Sequence, residues 1–149
     1  MSEFEDLYQE VILHHSKSPR NVGVLDDANR KALGHNPLCG DKLHLTLSVE
    51  DGVVKDIRFT GEGCAISTAS TSVMTDLLKG KREEDALAML GAFHALVTGE
   101  EPAADAPELG KLEVFAGVRR FPVRVKCAML PWRTLESALV DPDAVATTE

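Results

Sequence analysis

Hydrophobic residues recur every three or four positions in four segments of the chain. These segments span residues 3–16, 65–79, 83–98 and 128–140. The spacing places the apolar side chains of each segment along one face, as in an amphipathic α-helix. Pro107 predicts a fifth, shorter helix, because proline suits the first turn of a helix. The pattern therefore predicts about five helices.

A stricter alternation of apolar and polar residues predicts a β-hairpin over residues 42–60. Asp51 and Gly52 stand at its middle, and this pair is typical of a tight hairpin turn. Because a hairpin returns the chain to its starting point, we expect the residues just before 42 and just after 60 to lie close together. Residues 20–41 are rich in turn formers, and we expect them to be mostly irregular, with one short strand near residues 22–25.

The length and the composition indicate a single folded domain. The chain has 149 residues, of which 44% are hydrophobic and 27% charged, as in an ordinary globular protein. This length is enough to bury one hydrophobic core. We predict that residues 1–140 form the domain and that residues 141–149 are a disordered tail.

The charge and the cysteine count narrow the classes of function. The formal net charge of −8 argues against a nucleic acid as the partner, because phosphate binding needs clustered Lys and Arg. No apolar run approaches the roughly 20 residues that span a bilayer, so we expect no membrane partner. The N-terminal residues MSEFED are acidic where a signal peptide is basic, which favours a cytoplasmic protein. Cytoplasmic thiols stay reduced, so three cysteines indicate metal or catalytic chemistry rather than disulfides.

Three thiols and one carboxylate supply the four donors that a tetrahedral metal needs. Cys39 and Asp41 stand just before the hairpin, and Cys64 stands just after it, so the hairpin brings these three residues together. Cys127 stands at or just before the start of the last predicted helix, and we expect it to complete the site. The predicted ligands are Cys39, Asp41, Cys64 and Cys127.

The donor types bear on which metal the site holds. An oxygen ligand in place of a fourth sulfur favours an exchangeable zinc site over a closed structural one. The same residues could instead hold an iron–sulfur cluster, which Asp41 would make labile. Arg124 and Lys126 stand close to Cys127 in the sequence, and their charges would offset those of the ligands.

Other interpretations of the same residues stay open. The three cysteines could be buried hydrophobic residues, which is common for free cysteine. Cys39 could be a nucleophile with His35 as its base, although no orienting third group is evident. His14 and His15 fit the C-terminal end of the first helix better than a metal site. His94 lies in the apolar stripe of its helix and is interpreted as a packed or surface residue.

Three segments resemble those of the U-type iron–sulfur cluster assembly proteins, the family of SufU, IscU and the NifU N-terminal domain. They are GHNPLCGD at residues 34–41, GEGCAIS at 61–67 and RVKC at 124–127. The likeness runs in colinear order through residues 4–140. It implies an α+β fold, in which a small antiparallel sheet of about three strands packs against five or so helices, with the metal site at one end.

Within this family, the chain resembles the SufU branch rather than the IscU-like scaffolds. IscU-like proteins have a histidine just before the last cysteine, where this chain has Lys126. Residues 121–124 (FPVR) replace their Pro-Pro-Val-Lys chaperone motif, and about twenty residues around 99–117 are additional. Pro131 departs from the pattern of the family, in which a better helix former is expected, and could shift the start of the last helix. In the SufU branch, Zn²⁺ is held by residues that match Cys39, Asp41, Cys64 and Cys127.

The resemblance implies a sulfur relay. A SufS-like cysteine desulfurase displaces Cys39 from zinc by offering its own ligand, and the freed thiolate accepts persulfide sulfur for a downstream cluster scaffold. Arg124 would support the developing charge. One alternative is a scaffold that assembles a transient [2Fe–2S] cluster on the same four residues. Another is a zinc-stabilised binding module that transfers no sulfur.

Overall fold

A computed structural model describes residues 3–37, 40–140 and 145–147 of the chain. Cys39 therefore lies outside the described residues. In chain order the elements are the helix α1 (Glu3–Lys17), the strands β1 (Arg30–Asn36), β2 (Asp41–Glu50) and β3 (Val53–Glu62), the helices α2 (Ala65–Leu78) and α3 (Glu83–Thr98), a 3₁₀ helix (Gly110–Arg120), the helix α4 (Pro122–Val140) and the strand β4 (Val145–Thr147).

The strands form one sheet in the order β3-β2-β1-β4. β2 and β3 are the predicted hairpin, and Asp51 and Gly52 turn the chain with φ angles of 53° and 76°. Positive φ angles at both positions match the twist of a two-residue hairpin turn. β1 pairs antiparallel with β2. Three antiparallel strands packed against helices confirm the predicted α+β class.

The first strand lies at Arg30–Asn36, so the prediction of a short strand near residues 22–25 is wrong. Val22 lies outside the strands and forms an isolated β-bridge with Phe59 of β3. The inward-facing positions of β1 carry small or polar side chains, so this strand lacks the apolar alternation that reveals β2. These inward positions are Ala32, Gly34 and Asn36.

Part of the C-terminal segment is a strand rather than a disordered tail. β4 pairs in parallel with β1, with Val145 opposite Leu33 and Thr147 opposite His35. The predicted disorder is therefore wrong for Val145–Thr147. The physical reason is that the outer edge of β1 offers backbone N–H and C=O groups to a further strand. The rest of the predicted tail, residues 141–144 and 148–149, lies outside the described residues.

The helix α4 begins at Pro122, six residues before the predicted start at 128. Proline has a preset φ and no N–H, which suits the first position of a helix, so Pro122 starts α4 rather than breaking the chain. Cys127 consequently lies in the second turn of α4, and the prediction that it stands at or before the helix start is wrong. Pro131 lies deeper in the same helix.

The core lies between the sheet and two of the helices. α2 and α4 pack on the sheet, and α1, α3 and the 3₁₀ helix pack around them. Trp132 of α4 is fully buried and stacks on Phe93, with ring centroids 5.0 Å apart. Gly34 lets α4 approach β1, because a Cβ there would overlap Thr134 Oγ1. Among the described residues, no helix combines the length and the hydrophobicity needed to cross a membrane.

Candidate metal centre

The two ends of the β2–β3 hairpin bring Asp41 and Cys64 into direct contact. Asp41 is the first residue of β2, and Cys64 follows β3. The backbone N–H of Cys64 donates to Asp41 Oδ1 over 2.9 Å, and Cys64 Sγ lies 3.8 Å from Asp41 Oδ2. The hairpin prediction is confirmed for this pair. Cys39, which the sequence also predicts to lie beside these two residues, is outside the described residues.

Cys64 also caps the N-terminus of α2. Its Sγ accepts the backbone N–H of Ser67 over 3.4 Å, as a capping side chain does. The positive end of the helix dipole favours a negative charge at this position. The sulfur of Cys64 is thus placed where a thiolate is stabilised.

Cys127 reaches the same place from α4. Its side chain is buried, and the side-chain amide of Asn36 donates to its sulfur over 3.7 Å. The next carbonyl along the helix, that of Ala128, accepts a hydrogen bond from Ser70 Oγ over 2.7 Å. These two contacts tie the second turn of α4 to β1 and to α2, and so fix the position of Cys127.

The three donors form one compact cluster. The ligand atoms of Asp41, Cys64 and Cys127 lie within 4.8 Å of one another. Ligand atoms around a tetrahedral zinc lie about 3.3–3.8 Å apart, given bonds of roughly 2.0–2.3 Å. Two sulfurs and one carboxylate oxygen at these separations therefore fit a metal such as zinc or iron with little rearrangement. The site is mostly shielded from water, because Asp41 and Cys127 are buried and Cys64 is half-buried.

The environment makes Cys64 acidic. The hydrogen bond with Cys127 is the largest influence and, with the N–H groups of Ser67 and Ile66, lowers the pKa of the Cys64 thiol to about 7. Burial and the negative charge of Asp41 act in the opposite direction. Much of Cys64 is therefore a thiolate near neutral pH, which is the form that binds a metal.

Two further residues shape the site, and sequence reasoning gave neither a role in it. Gly63 leaves space for the carboxylate, because a Cβ there would lie 3.3 Å from Asp41 Oδ1 and 3.1 Å from Ser67 Oγ. Asn36 is fully buried and pairs with Asp41 across the β1–β2 connection. A polar side chain at an inward position of a strand is the signal that points to Asn36 once the strand is known.

The other candidate residues lie elsewhere. The exposed Arg124 lies one helical turn before Cys127, with its guanidinium 4.4 Å from the centre of the Phe121 ring. Its role in the site stays a prediction. His15 lies in the last turn of α1, as predicted, where it is buried with its Nδ1 2.7 Å from Ser72 Oγ. On α3, Nδ1 of His94 lies 3.8 Å from a carboxylate oxygen of Glu100, which follows the helix. Within the described part of the chain, His35 is not in the donor cluster.

Comparison with known proteins identifies relatives along nearly the whole chain. The NifU-like N-terminal domain family matches residues 7–138. The zinc-dependent sulfurtransferase SufU of Bacillus subtilis is 44% identical over 138 residues, which cover 93% of this chain and 92% of that protein. The iron–sulfur cluster assembly scaffold protein IscU of Streptococcus pyogenes is 44% identical over 139 residues, which cover 93% of this chain and 86% of that protein.

A solved structure supports the same relationship. The crystal structure of a protein from Fervidobacterium islandicum, described as a putative iron–sulfur cluster assembly scaffold protein for the SUF system, superimposes with a TM-score of 0.83 and 37% identity. The superposition covers 91% of this chain and 98% of that one. Sequence and fold agree, and the chain belongs to the family of NifU-like N-terminal domains.

Proposed function

We propose that this protein is a zinc-dependent sulfur acceptor in iron–sulfur cluster assembly, and that it takes persulfide sulfur from a cysteine desulfurase onto Cys39. The convergence of Asp41, Cys64 and Cys127 within 4.8 Å is the observation that carries the proposal. Cys39 precedes Asp41 by two residues, and we propose it as the fourth ligand. The similarity to a SufU that is named a zinc-dependent sulfurtransferase supports zinc as the metal.

The proposed transfer exchanges one S–S bond for another. The Cys39 thiolate attacks the outer sulfur of the persulfide on the desulfurase. The S–S bond of the donor breaks, and the donor cysteine leaves as a thiolate with the bonding electron pair. Cys39 then carries the persulfide, without net oxidation or reduction. A downstream cluster scaffold would receive the sulfur in the same way.

The residues of this chain hold the other donors in place during the exchange. The N–H of Cys64 fixes the Asp41 carboxylate, and the Asn36 amide fixes the sulfur of Cys127. When bound, zinc keeps the thiolates deprotonated and orders the site. Arg124, one turn before Cys127, would support negative charge on the attacking sulfur.

Replacing the acceptor thiol tests this function. Cys39→Ala should abolish the transfer of ³⁵S from labelled cysteine to this protein in the presence of a SufS-like desulfurase. Val140→Ala, an exposed position at the opposite end of α4 from Cys127, is the matched control and should retain the label. If Cys39→Ala still acquires labelled sulfur and stimulates the desulfurase as the wild type does, Cys39 is not the acceptor.

The scaffold function is the second candidate, because a relative named IscU is equally similar, at 44% identity. Metal and sulfide analysis of protein purified without oxygen distinguishes the sulfur acceptor from the scaffold. A colourless protein with one zinc per chain supports the sulfur acceptor. A brown protein with iron and acid-labile sulfide supports a scaffold that assembles a [2Fe–2S] cluster on the same residues.

A further inference from the structure

An exposed surface with unusual charge lies beside the metal centre, where the 3₁₀ helix meets α4. Residues 114–135 contain five of the 16 Lys and Arg residues of the chain and none of its 24 Asp and Glu residues. This contrasts with the net charge of −8 of the whole chain. We define the basic–apolar patch as the exposed residues Arg119, Arg120, Phe121, Val123 and Arg124.

The centre of the patch is apolar. Phe121 and Val123 expose 47% and 52% of their surface and stand only two positions apart in the sequence. Exposed apolar residues that lie together, rather than singly, are typical of interaction sites. The guanidinium of Arg124 lies over the Phe121 ring at 4.4 Å, so an aromatic ring and a cation present one joint surface. Aromatic residues and arginine are the side chains most enriched at the centres of protein interfaces.

Among the residues that the structure describes, no acidic group pairs with the charges of the patch. Over the described ranges, none of Arg119, Arg120 and Arg124 forms an ion pair. Arg119 donates its Nε–H to the carbonyl of Ala116, which leaves its charge unpaired. Unpaired cations around an apolar centre match a partner with acidic groups around an apolar centre.

The patch is continuous with the donor cluster. Phe121 caps the 3₁₀ helix and immediately precedes α4, and Cys127 lies in the second turn of that helix. A protein that covers the first turn of α4 is therefore held beside the three donors. A sulfur donor must reach this place in order to deliver its persulfide.

We propose that the basic–apolar patch docks the cysteine desulfurase, through a surface of that enzyme which is acidic around an apolar centre. The inference rests on the proposed function and adds to it the surface that recognises the partner. A nucleic acid is the less suitable occupant, because the chain as a whole is acidic and the centre of the patch is apolar.

Binding of the desulfurase to surface variants tests the proposal. Arg120→Glu and Phe121→Ser should each raise the Kd of the complex about tenfold in low salt, as loss of a charge contact or an aromatic anchor does. The Kd of the wild type should rise with salt concentration, and that of Arg120→Glu should rise less steeply. Lys55→Glu is the control, because this exposed lysine lies on β3 near the hairpin turn, at the opposite end from Asp41 and Cys64. It should leave the Kd within about twofold of the wild type.

A second measurement separates docking from chemistry. Inorganic polysulfide should load sulfur onto Cys39 equally well in the wild type and in both patch variants, whose metal content and urea midpoint should also be unchanged. If Arg120→Glu and Phe121→Ser retain the wild-type Kd, or if a DNA oligonucleotide binds the patch more tightly than the desulfurase does, the docking proposal is overturned. If the Kd values change as expected but Cys39 takes sulfur from neither donor, the proposed function fails instead.

Discussion

Asn36 is a buried polar side chain beside the candidate metal centre. Its amide is fully buried and donates to Cys127 Sγ over 3.7 Å. Groups that orient a ligand typically change metal affinity by about 10- to 100-fold when they are replaced. We therefore regard Asn36 as a positioning residue for Cys127.

Asn36→Asp should weaken zinc binding about tenfold or more, because the change replaces an N–H donor beside the sulfur with a carboxylate oxygen of the same size. Competition with a chromophoric chelator at constant pH measures the affinity. Charge-transfer absorption of the Co²⁺-substituted protein reports whether the sulfur ligands have moved, which a general loss of stability does not affect.

The matched control for this substitution is Asn29→Asp. Asn29 forms two hydrogen bonds with the backbone of Val49, of 2.7 Å and 2.8 Å, and lies at the other end of β1. This control should lower the urea midpoint and leave the zinc affinity unchanged. Equal zinc affinities for Asn36→Asp and the wild type would refute the positioning role.

The helix α1 packs on α2, and a buried histidine lies in the contact between them. His15 Nδ1 lies 2.7 Å from Ser72 Oγ. Burial, followed by the nearby positive groups of His14, Arg20 and Lys111, lowers the pKa of His15 below its ordinary value of 6.5. In the unfolded chain this pKa returns to the ordinary value, so below about pH 6.5 the unfolded state binds more protons than the folded state.

Folding stability should therefore fall as the pH decreases from about 6.5 through the lower pKa of folded His15. Urea midpoints measured between pH 7.5 and 5.5 check this decrease. His15→Gln should show a shallower decline than the wild type, because it removes the titrating group. His94→Gln, on α3, should retain the wild-type decline, and a decline in His15→Gln as steep as in the wild type would count against this origin.

The metal centre joins elements that are far apart along the chain. Its three described donors come from the start of β2, from the junction of β3 and α2, and from α4. An ion bound by these donors would therefore link both ends of the hairpin to the helix that carries the core residue Trp132. Ligand binding of this kind stabilises the folded state by mass action.

Removal of zinc should lower the melting temperature by about 5–10 °C, if zinc is present at roughly 100 times its Kd. Differential scanning calorimetry with and without a chelator measures the shift. Asp41→Ala, which removes one ligand and leaves three sulfurs, should show a smaller shift than the wild type. A wild-type melting temperature that is insensitive to zinc removal would contradict a linking role for the metal.

Local patterns in the sequence were sufficient to predict a large part of the secondary structure and one contact of the candidate site. The helices α2 and α3 and the β2–β3 hairpin follow from the spacing of apolar residues and from the Asp51-Gly52 turn. The contact of Asp41 with Cys64 also follows, because a hairpin must bring its two ends together. These features depend on interactions between residues that are close along the chain, and the residues themselves carry the signal.

Long-range packing determined the features that the sequence did not predict: the strand β1, the start of α4 and the contact of Asn36 with Cys127. The sequence pattern did not predict β1. Because α4 packs directly on Gly34, this inward position carries no side chain. A large apolar residue there would have indicated a strand. α4 begins at Pro122 rather than near 128, and Cys127 joins the site from within a helical turn. The hydrogen bond from Asn36 to Cys127 spans 91 residues of sequence. No local pattern encodes such a contact, because it exists only once the sheet and α4 have packed together.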